Sequence, residues 1–204
     1  MTIALGVDVG VRTLHVVGLD SSLSVTLREA IAPDQFDSLL RGLSDRLSIA
    51  IDGPPGPSVG AYLDDETLAP KFRPARGCEV ELGRQRGIWV PWVTGLEPLT
   101  GWMSVAANVH ASAFSHGHIA LETYPHGVYT TLLGRRLPKK STWEGRTIRV
   151  GLLSEAGVHG TDLADWRHDD LDAAAAALVA ARHVDGSAVA ISSSRDGTSV
   201  WLPA

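Results

Sequence analysis

The stretch Ile3-Ala4-Leu5-Gly6-Val7-Asp8-Val9-Gly10 decides how this chain is read. Side chains two apart on a strand share a face. Ile3, Leu5, Val7 and Val9 therefore make one bulky apolar face, and Ala4, Gly6, Asp8 and Gly10 make a small one that carries a carboxylate. A carboxylate inside an apolar strand is costly unless something pairs with it, so Asp8 calls for a partner. The same design recurs twice. In Leu47–Asp52, Leu47, Ile49 and Ile51 stand opposite Ser48, Ala50 and Asp52. In His118–Glu122, Ile119 and Leu121 stand opposite His118, Ala120 and Glu122. Laid side by side in one sheet, these strands are expected to bring Asp8, Asp52 and Glu122 together over small residues that admit a close-packed helix.

The Ala- and Leu-rich segment Asp165–Arg182 is the clearest helix in the chain. Asp169 and Asp172 are three apart and share a face, which Ala173 and Ala176 extend with small residues. Carboxylates gathered this closely repel and rise in pKa unless a cation offsets them. An all-oxygen donor set suits a hard divalent ion, and Mg²⁺ or Mn²⁺ is expected. Local structure competes for some of these acidic residues. Asp52 precedes Gly53-Pro54-Pro55-Gly56, where a turn also wants an aspartate. Asp169 and Asp170 open a helix, where the dipole alone favours acids.

Working outward, Thr13–Leu19 and Ser24–Arg28 read as strands that follow the first by short turns, an antiparallel meander. Pro33–Arg46 reads as a helix with Phe36, Leu39, Leu40 and Leu43 on one face. Residues 58–95, rich in Pro, Gly and Arg, read as an irregular insertion or lid. Helices are expected over Pro98–Phe114, Gly127–Leu133 and Thr142–Ala156, and a closing hairpin or edge strand over Val189–Ser193 and Thr198–Leu202. A meander followed by alternating helices and strands implies an α/β fold with a mixed five-stranded sheet flanked by helices, in one domain over residues 1–204.

Composition narrows the function. With 204 residues, 44% hydrophobic and 20% charged, the chain suits a globular enzyme. Its net charge of −5 argues against a general nucleic-acid coat protein, which carries a broad basic surface. The single cysteine, Cys78, excludes an intrachain disulfide or a cysteine-based zinc site and fits a reducing cytoplasm, the expected location. No stretch approaches the length of a membrane span, so no membrane partner is expected.

Several of these segments carry a resemblance. GVDVG (6–10), AIDGPPG (50–56), the Arg-Cys-acidic-Arg run Arg73–Arg84, ETYPH (122–126) and HDDLDA (168–173) are similar, in order and spacing, to a prokaryotic family described as a predicted nuclease with a ribonuclease-H-like fold (domain of unknown function 429). The wider superfamily contains ribonuclease H, Holliday-junction resolvases and transposases, and is known for carboxylates on the first strand, the fourth strand and the last helix. The resemblance therefore implies a metal-dependent phosphodiester hydrolase acting on nucleic acid, DNA or RNA. Asp8, Asp52, Glu122, Asp169 and Asp172 would be its catalytic carboxylates, and Asp8, Asp52, Asp169 and Asp172 the metal ligands. Two ions about 4 Å apart would clamp an in-line attack of water on the phosphodiester. Arg76, Arg84, Lys140 and Arg146 are the expected phosphate contacts; a solvated loop with local ion pairs explains such residues equally well.

Other residues read more plainly. Trp89 and Trp92 are expected to pin the 58–95 segment to the core, His126 to cap or pack, and Cys78 to be an incidental buried thiol. Two rival functions stand beside the hydrolase. GVDVGVRT also resembles the first phosphate loop of an actin-like-class phosphotransferase or ATP-binding protein, although such proteins normally need a second domain. The third reading is a non-catalytic ribonuclease-H-like binding module. A homo-oligomer is compatible with each.

Overall fold

The computed structural model describes residues 1–43, 46–160 and 162–204. Its strands are β1 (Ala4–Val9), β2 (Leu14–Leu19), β3 (Val25–Ile31), β4 (Ser48–Asp52), β5 (Ile119–Thr123), β6 (Ala188–Ser192) and β7 (Ser199–Pro203). Its α-helices are α1 (Phe36–Arg41), α2 (Gly77–Arg86), α3 (Gly101–Ser115), α4 (Pro125–Leu133), α5 (Trp143–Glu155) and α6 (His168–Val184).

The expected meander is present. The Gly10 N–H donates to Thr13 O at 3.0 Å and closes the turn between β1 and β2, which pair antiparallel. The Asp20 carboxylate accepts from the Ser22 and Ser24 N–H groups, each at 2.9 Å, and sets up the antiparallel β2–β3 pair. β4 then lies parallel to β1, and β5 parallel to β4.

The sheet has seven strands, in the order β3-β2-β1-β4-β5-β7-β6, where five were expected. The closing hairpin accounts for the difference. β7 joins the open edge of β5 through Thr123 and Trp201, and β6 follows it antiparallel. The Thr123 hydroxyl also donates to Trp201 O at 2.8 Å.

The expected helix from Pro33 to Arg46 is shorter, a 3₁₀ turn at Pro33–Gln35 followed by α1, and its residues 44 and 45 lie outside the described residues. Residues 58–95 are less irregular than expected, because they contain α2. That helix buries Gly77, Glu79 and Gly83 beside Cys78, Val80 and Leu82, so its inner side has no apolar period to read. Gly87, at φ +67°, ends it in the left-handed conformation open to glycine.

Two apolar layers sandwich the sheet. Leu5, Val7, Ile49 and Ile51 face Phe36 and Leu40 of α1 and Val109 and Ala113 of α3. The small faces of β1 and β4 receive α6, as the sequence implies. A Cβ on Gly6 would lie 2.1 Å from both Ala173 O and Ala177 N, so only glycine permits this approach. α6 is buried along its length from Asp170 to Ala181. This contact sets the height of its acidic first turn against the ends of β1 and β4.

Candidate carboxylate site

Parallel pairing sets Asp8 level with Asp52, at the C-terminal ends of β1 and β4 and on the face that receives α6. Asp172, in the first turns of α6, is drawn to the same place. Asp8 and Asp52 border a cleft of about 600 Å³ that is also lined by the Gly10–Thr13 turn, His15, Trp92, Trp102, Lys140 and Asp169, and Asp172 lies behind Lys140 at its wall. Gly53 lets the chain leave β4 tightly against α3. At φ +143°, its missing side chain avoids Ala106 Cβ, which a Cβ would meet at 2.6 Å.

The electrostatics are those of too little positive charge. Burial pushes Asp8 up to about 7, and the charges of Asp172 and Asp169 push the same way, against Lys140 and His15. Burial also holds Asp52 well above the carboxylate range, with Asp8 and Asp172 adding to it and Lys140 opposing. Asp52 Oδ1 is buried and has no hydrogen-bond partner in the protein. The nearest cation is Lys140, whose ammonium donates to Asp172 Oδ2 at 2.8 Å. Burial draws Lys140 down, but the charge of Asp172 and that hydrogen bond more than offset it, so its ammonium is held charged.

The other acids of α6 are arranged around this centre. Asp170 is bound by His15 Nδ1 at 2.7 Å. His15 reaches the site because β1–β2 pairing sets it opposite Asp8. Asp169 lies 2.5 Å from His168 Nδ1 and 3.9 Å from His15 Nε2, and it faces the cleft.

Glu122 does not join this group. Parallel register sets it level with Ile51, and Asp52 level with Thr123, so Glu122 points to the opposite face of the sheet. There it receives both terminal nitrogens of Arg76, Nη1 at 2.5 Å. Arg76 is 1% exposed; its Nε also donates to Glu79 and to Thr94, at 3.3 and 3.2 Å. Its guanidinium is consumed by these partners and offers the cleft nothing. Arg84 is likewise remote, paired with Asp65 at 2.8 Å and Glu81 at 3.6 Å. Of the four expected phosphate contacts, Lys140 lies in the cleft. Arg146 lines an adjoining one of about 530 Å³, which shares Lys140 and Asp169 with it.

Residues missed in the sequence are His15, Asp170, Glu79 and Trp102. His15 was legible from β1–β2 pairing. The i, i+3 spacing of Arg76 and Glu79 was a local signal of an ion pair. Trp102 enters through tertiary packing, edge-on to Trp92 at 4.9 Å, and Trp92 packs edge-on to Tyr124 at 5.1 Å. Cys78 is a buried thiol, as expected.

Oxygen donors, a desolvated carboxyl pair and the orphaned Asp52 Oδ1 suit a hard divalent cation. As placed, no three His, Cys, Asp or Glu side chains among the described residues close on a single metal position, and Lys140 supplies the local positive charge instead.

The chain is thus a mixed α/β protein with a carboxylate-lined cleft where its central strands meet the start of its last long helix. The model of a family described as a protein of unknown function (DUF429) matches residues 104–196, and the resemblance drawn from the motifs holds over that stretch. The match includes ETYPH and HDDLDA, which contribute Glu122 and the acidic turn of α6. No curated protein matches the chain. No helix among the described residues is long and apolar enough to cross a membrane.

Proposed function

We propose that this chain is a ribonuclease-H-like, metal-dependent phosphodiester hydrolase acting on nucleic acid. Asp8, Asp52 and Asp172 would hold Mg²⁺ or Mn²⁺, with Asp169 at the rim. The observation that carries the reading is the Asp8–Asp52 pair, buried, short of positive charge and open to a cleft. A pair kept only for stability would have its acceptors filled. Support also comes from its setting on the first strand, the fourth strand and the last helix, the pattern of the superfamily.

Bound there, the metal would supply an activated water and offset charge on the leaving oxygen. The protein's own part is positional. The close approach of α6 at Gly6 fixes Asp172 against Asp8 and Asp52. His15 anchors Asp170 and so holds the first turn of α6. Trp92 and Trp102 wall the cleft and restrict water. Lys140, with its side chain 47% exposed, covers Asp172 in the free protein and can turn to a phosphate when another cation takes its place.

The test is a thermal-shift titration with Mg²⁺ and Mn²⁺, followed by cleavage assays on DNA, RNA and branched substrates. Asp8→Asn and Asp172→Asn should each lower metal-dependent cleavage more than a hundredfold with the fold intact. Parental cleavage by both variants sinks the reading. One observation favours a second reading, an ATP-binding protein of the actin-like class: the Gly10–Thr13 turn lines the same cleft. Saturable ATP binding without cleavage of any nucleic acid would select it.

A further inference from the structure

The cleft beside the carboxylates holds a feature that metal binding leaves unexplained. Trp143 is 80% exposed at the first position of α5, and among the described residues its ring stacks on no aromatic or cationic group. An indole left in water on a rigid element offers a large flat apolar face to a ligand. It lines the cleft of about 530 Å³ with Lys140, Thr142, Arg146, Arg167 and Asp169.

A single capped turn places Lys140 and Trp143. The Thr142 hydroxyl donates to Lys139 O at 2.8 Å and accepts the Gly145 N–H at 3.0 Å. A Cβ on Gly145 would lie 2.1 Å from Lys139 O, so the turn is pressed onto the first coil of α5. Arg149, 3% exposed, ties the base of the turn by donating to Gly145 O at 2.8 Å and to Pro138 O at 3.4 Å. The turn thus aims Lys140 inward at Asp172 and carries Trp143 on its outer side at a fixed offset. Arg146, one helical turn on, donates to Ala164 O and lines the same cleft. Cations for phosphates beside an uncovered indole make up the recognition set for a nucleic-acid strand whose bases are free to stack. A paired duplex, with its bases buried in their own stack, offers the indole no face.

We infer that Trp143 is a stacking platform for an unpaired base, so that the substrate is single-stranded beside the phosphodiester held at Asp8, Asp52 and Asp172. The inference rests on the hydrolase reading for the position of that phosphodiester, but strand binding is measurable without cleavage. The experiment uses the full chain, fluorescein-labelled oligothymidylate and a matched duplex, with anisotropy read in EDTA and in Ca²⁺. Trp143→Ala should weaken single-strand binding by about tenfold, the loss expected of one stacked base. Trp143→Phe should stay near the parent, and duplex binding should not move. Sedimentation of parent and Trp143→Ala accompanies the titrations.

The proposal falls if the parent binds no single strand in either condition. It falls if Trp143→Ala binds like the parent or loses strand and duplex equally. It also falls if Trp143→Ala changes the oligomeric state, because a second copy then covers the indole. Strand binding that depends on Trp143 without Mg²⁺- or Mn²⁺-dependent cleavage breaks the hydrolase reading and leaves the platform standing. Cleavage of single strands by Trp143→Ala at the parental kcat/KM breaks the platform and leaves the hydrolase.

Discussion

Two buried acidic centres occupy opposite faces of the same sheet, and they meet the cost of buried charge differently. Around Glu122, the Arg76 guanidinium spreads its hydrogen bonds over Glu122, Glu79 and Thr94. Burial raises Glu122, and Arg76 opposes that rise by charge and by hydrogen bonding. Around Asp8 and Asp52, one half-exposed ammonium faces three carboxylates, and Asp52 Oδ1 has no partner. The first centre is closed and satisfied, which suits structure. The second is open to a cleft and short of cation, which suits a ligand.

The largest expected effect tests the closed centre. Arg76→Leu strands Glu122 and Glu79 without their counter-charge, and breaking a buried pair from one side costs about 3–5 kcal/mol. At this chain length, the melting temperature should fall by about 10 °C. The double variant Arg76→Leu/Glu122→Leu should recover part of that loss, since the two residues touch and are not additive. Equal melting temperatures for parent and Arg76→Leu would remove the distinction between the centres.

Next comes the open centre, with the opposite sign. The folded-state pKa of Asp8 is raised to about 7 from an ordinary value of 3.8. Between those pH values the unfolded chain releases a proton that the folded chain keeps. Stability therefore falls as pH rises through that window, and the penalty is complete above it. In EDTA at pH 8, Asp8→Asn should melt above the parent by about 5 °C, corresponding to on the order of 2 kcal/mol. The gap should close toward pH 4. A gap that is absent at pH 8, or that widens as pH falls, contradicts the charge shortage.

A smaller effect is expected at Lys140. Asp172 is buried, but the Lys140 end of the pair is half exposed and screened by solvent, so the pair is worth about 1 kcal/mol and Lys140→Met should lower the melting temperature by about 2 °C. The same change removes the ammonium that competes for the carboxylates. The midpoint of Mg²⁺ stabilisation should therefore move to lower concentration. A midpoint that moves upward would make Lys140 a helper of the metal rather than its stand-in.

The contrast between the centres also marks how far the sequence could be read. The meander, β4 beside β1, and the helix over small residues were legible because alternation and alanine content are local signals. Asp8, Asp52 and Asp172 followed from them. Glu122 went astray because alternation within a strand does not fix its register against the next one. A one-residue offset moves every side chain to the other face, and here it paired Glu122 with Ile51. α2, and the joining of the closing hairpin to the main sheet, were hidden for a related reason, although the two strands of that hairpin were themselves legible. The inner side of α2 mixes glycine and glutamate with Cys78, Val80 and Leu82, and β7 enters the sheet only through the edge of β5. Arg76 looked like a phosphate contact because a sequence shows the charge but not the two glutamates that take it up.

Arg84 tests the same point at the smallest scale. It sits in the Arg-Cys-acidic-Arg run beside Arg76, and the motif alone gives both the same standing. The fold separates them by burial. Arg84 is exposed, paired with Asp65 and Glu81 and set over the Tyr62 ring at 5.4 Å, away from both clefts around the carboxylates. Asp65 and Glu81 keep other donors when it is removed, Asp65 the Thr67 N–H and hydroxyl, and Glu81 the Tyr62 hydroxyl and the Gln85 amide. Arg84→Ala should therefore change stability by no more than about 0.5 kcal/mol and, on the proposed reading, leave nucleic-acid binding and its salt dependence unchanged. Were Arg84 to neutralise a phosphate, its removal would instead flatten the slope of log affinity against log salt by about 1. A flattened slope would place the strand's path across α2 and make the motif, rather than the cleft, the guide to the substrate.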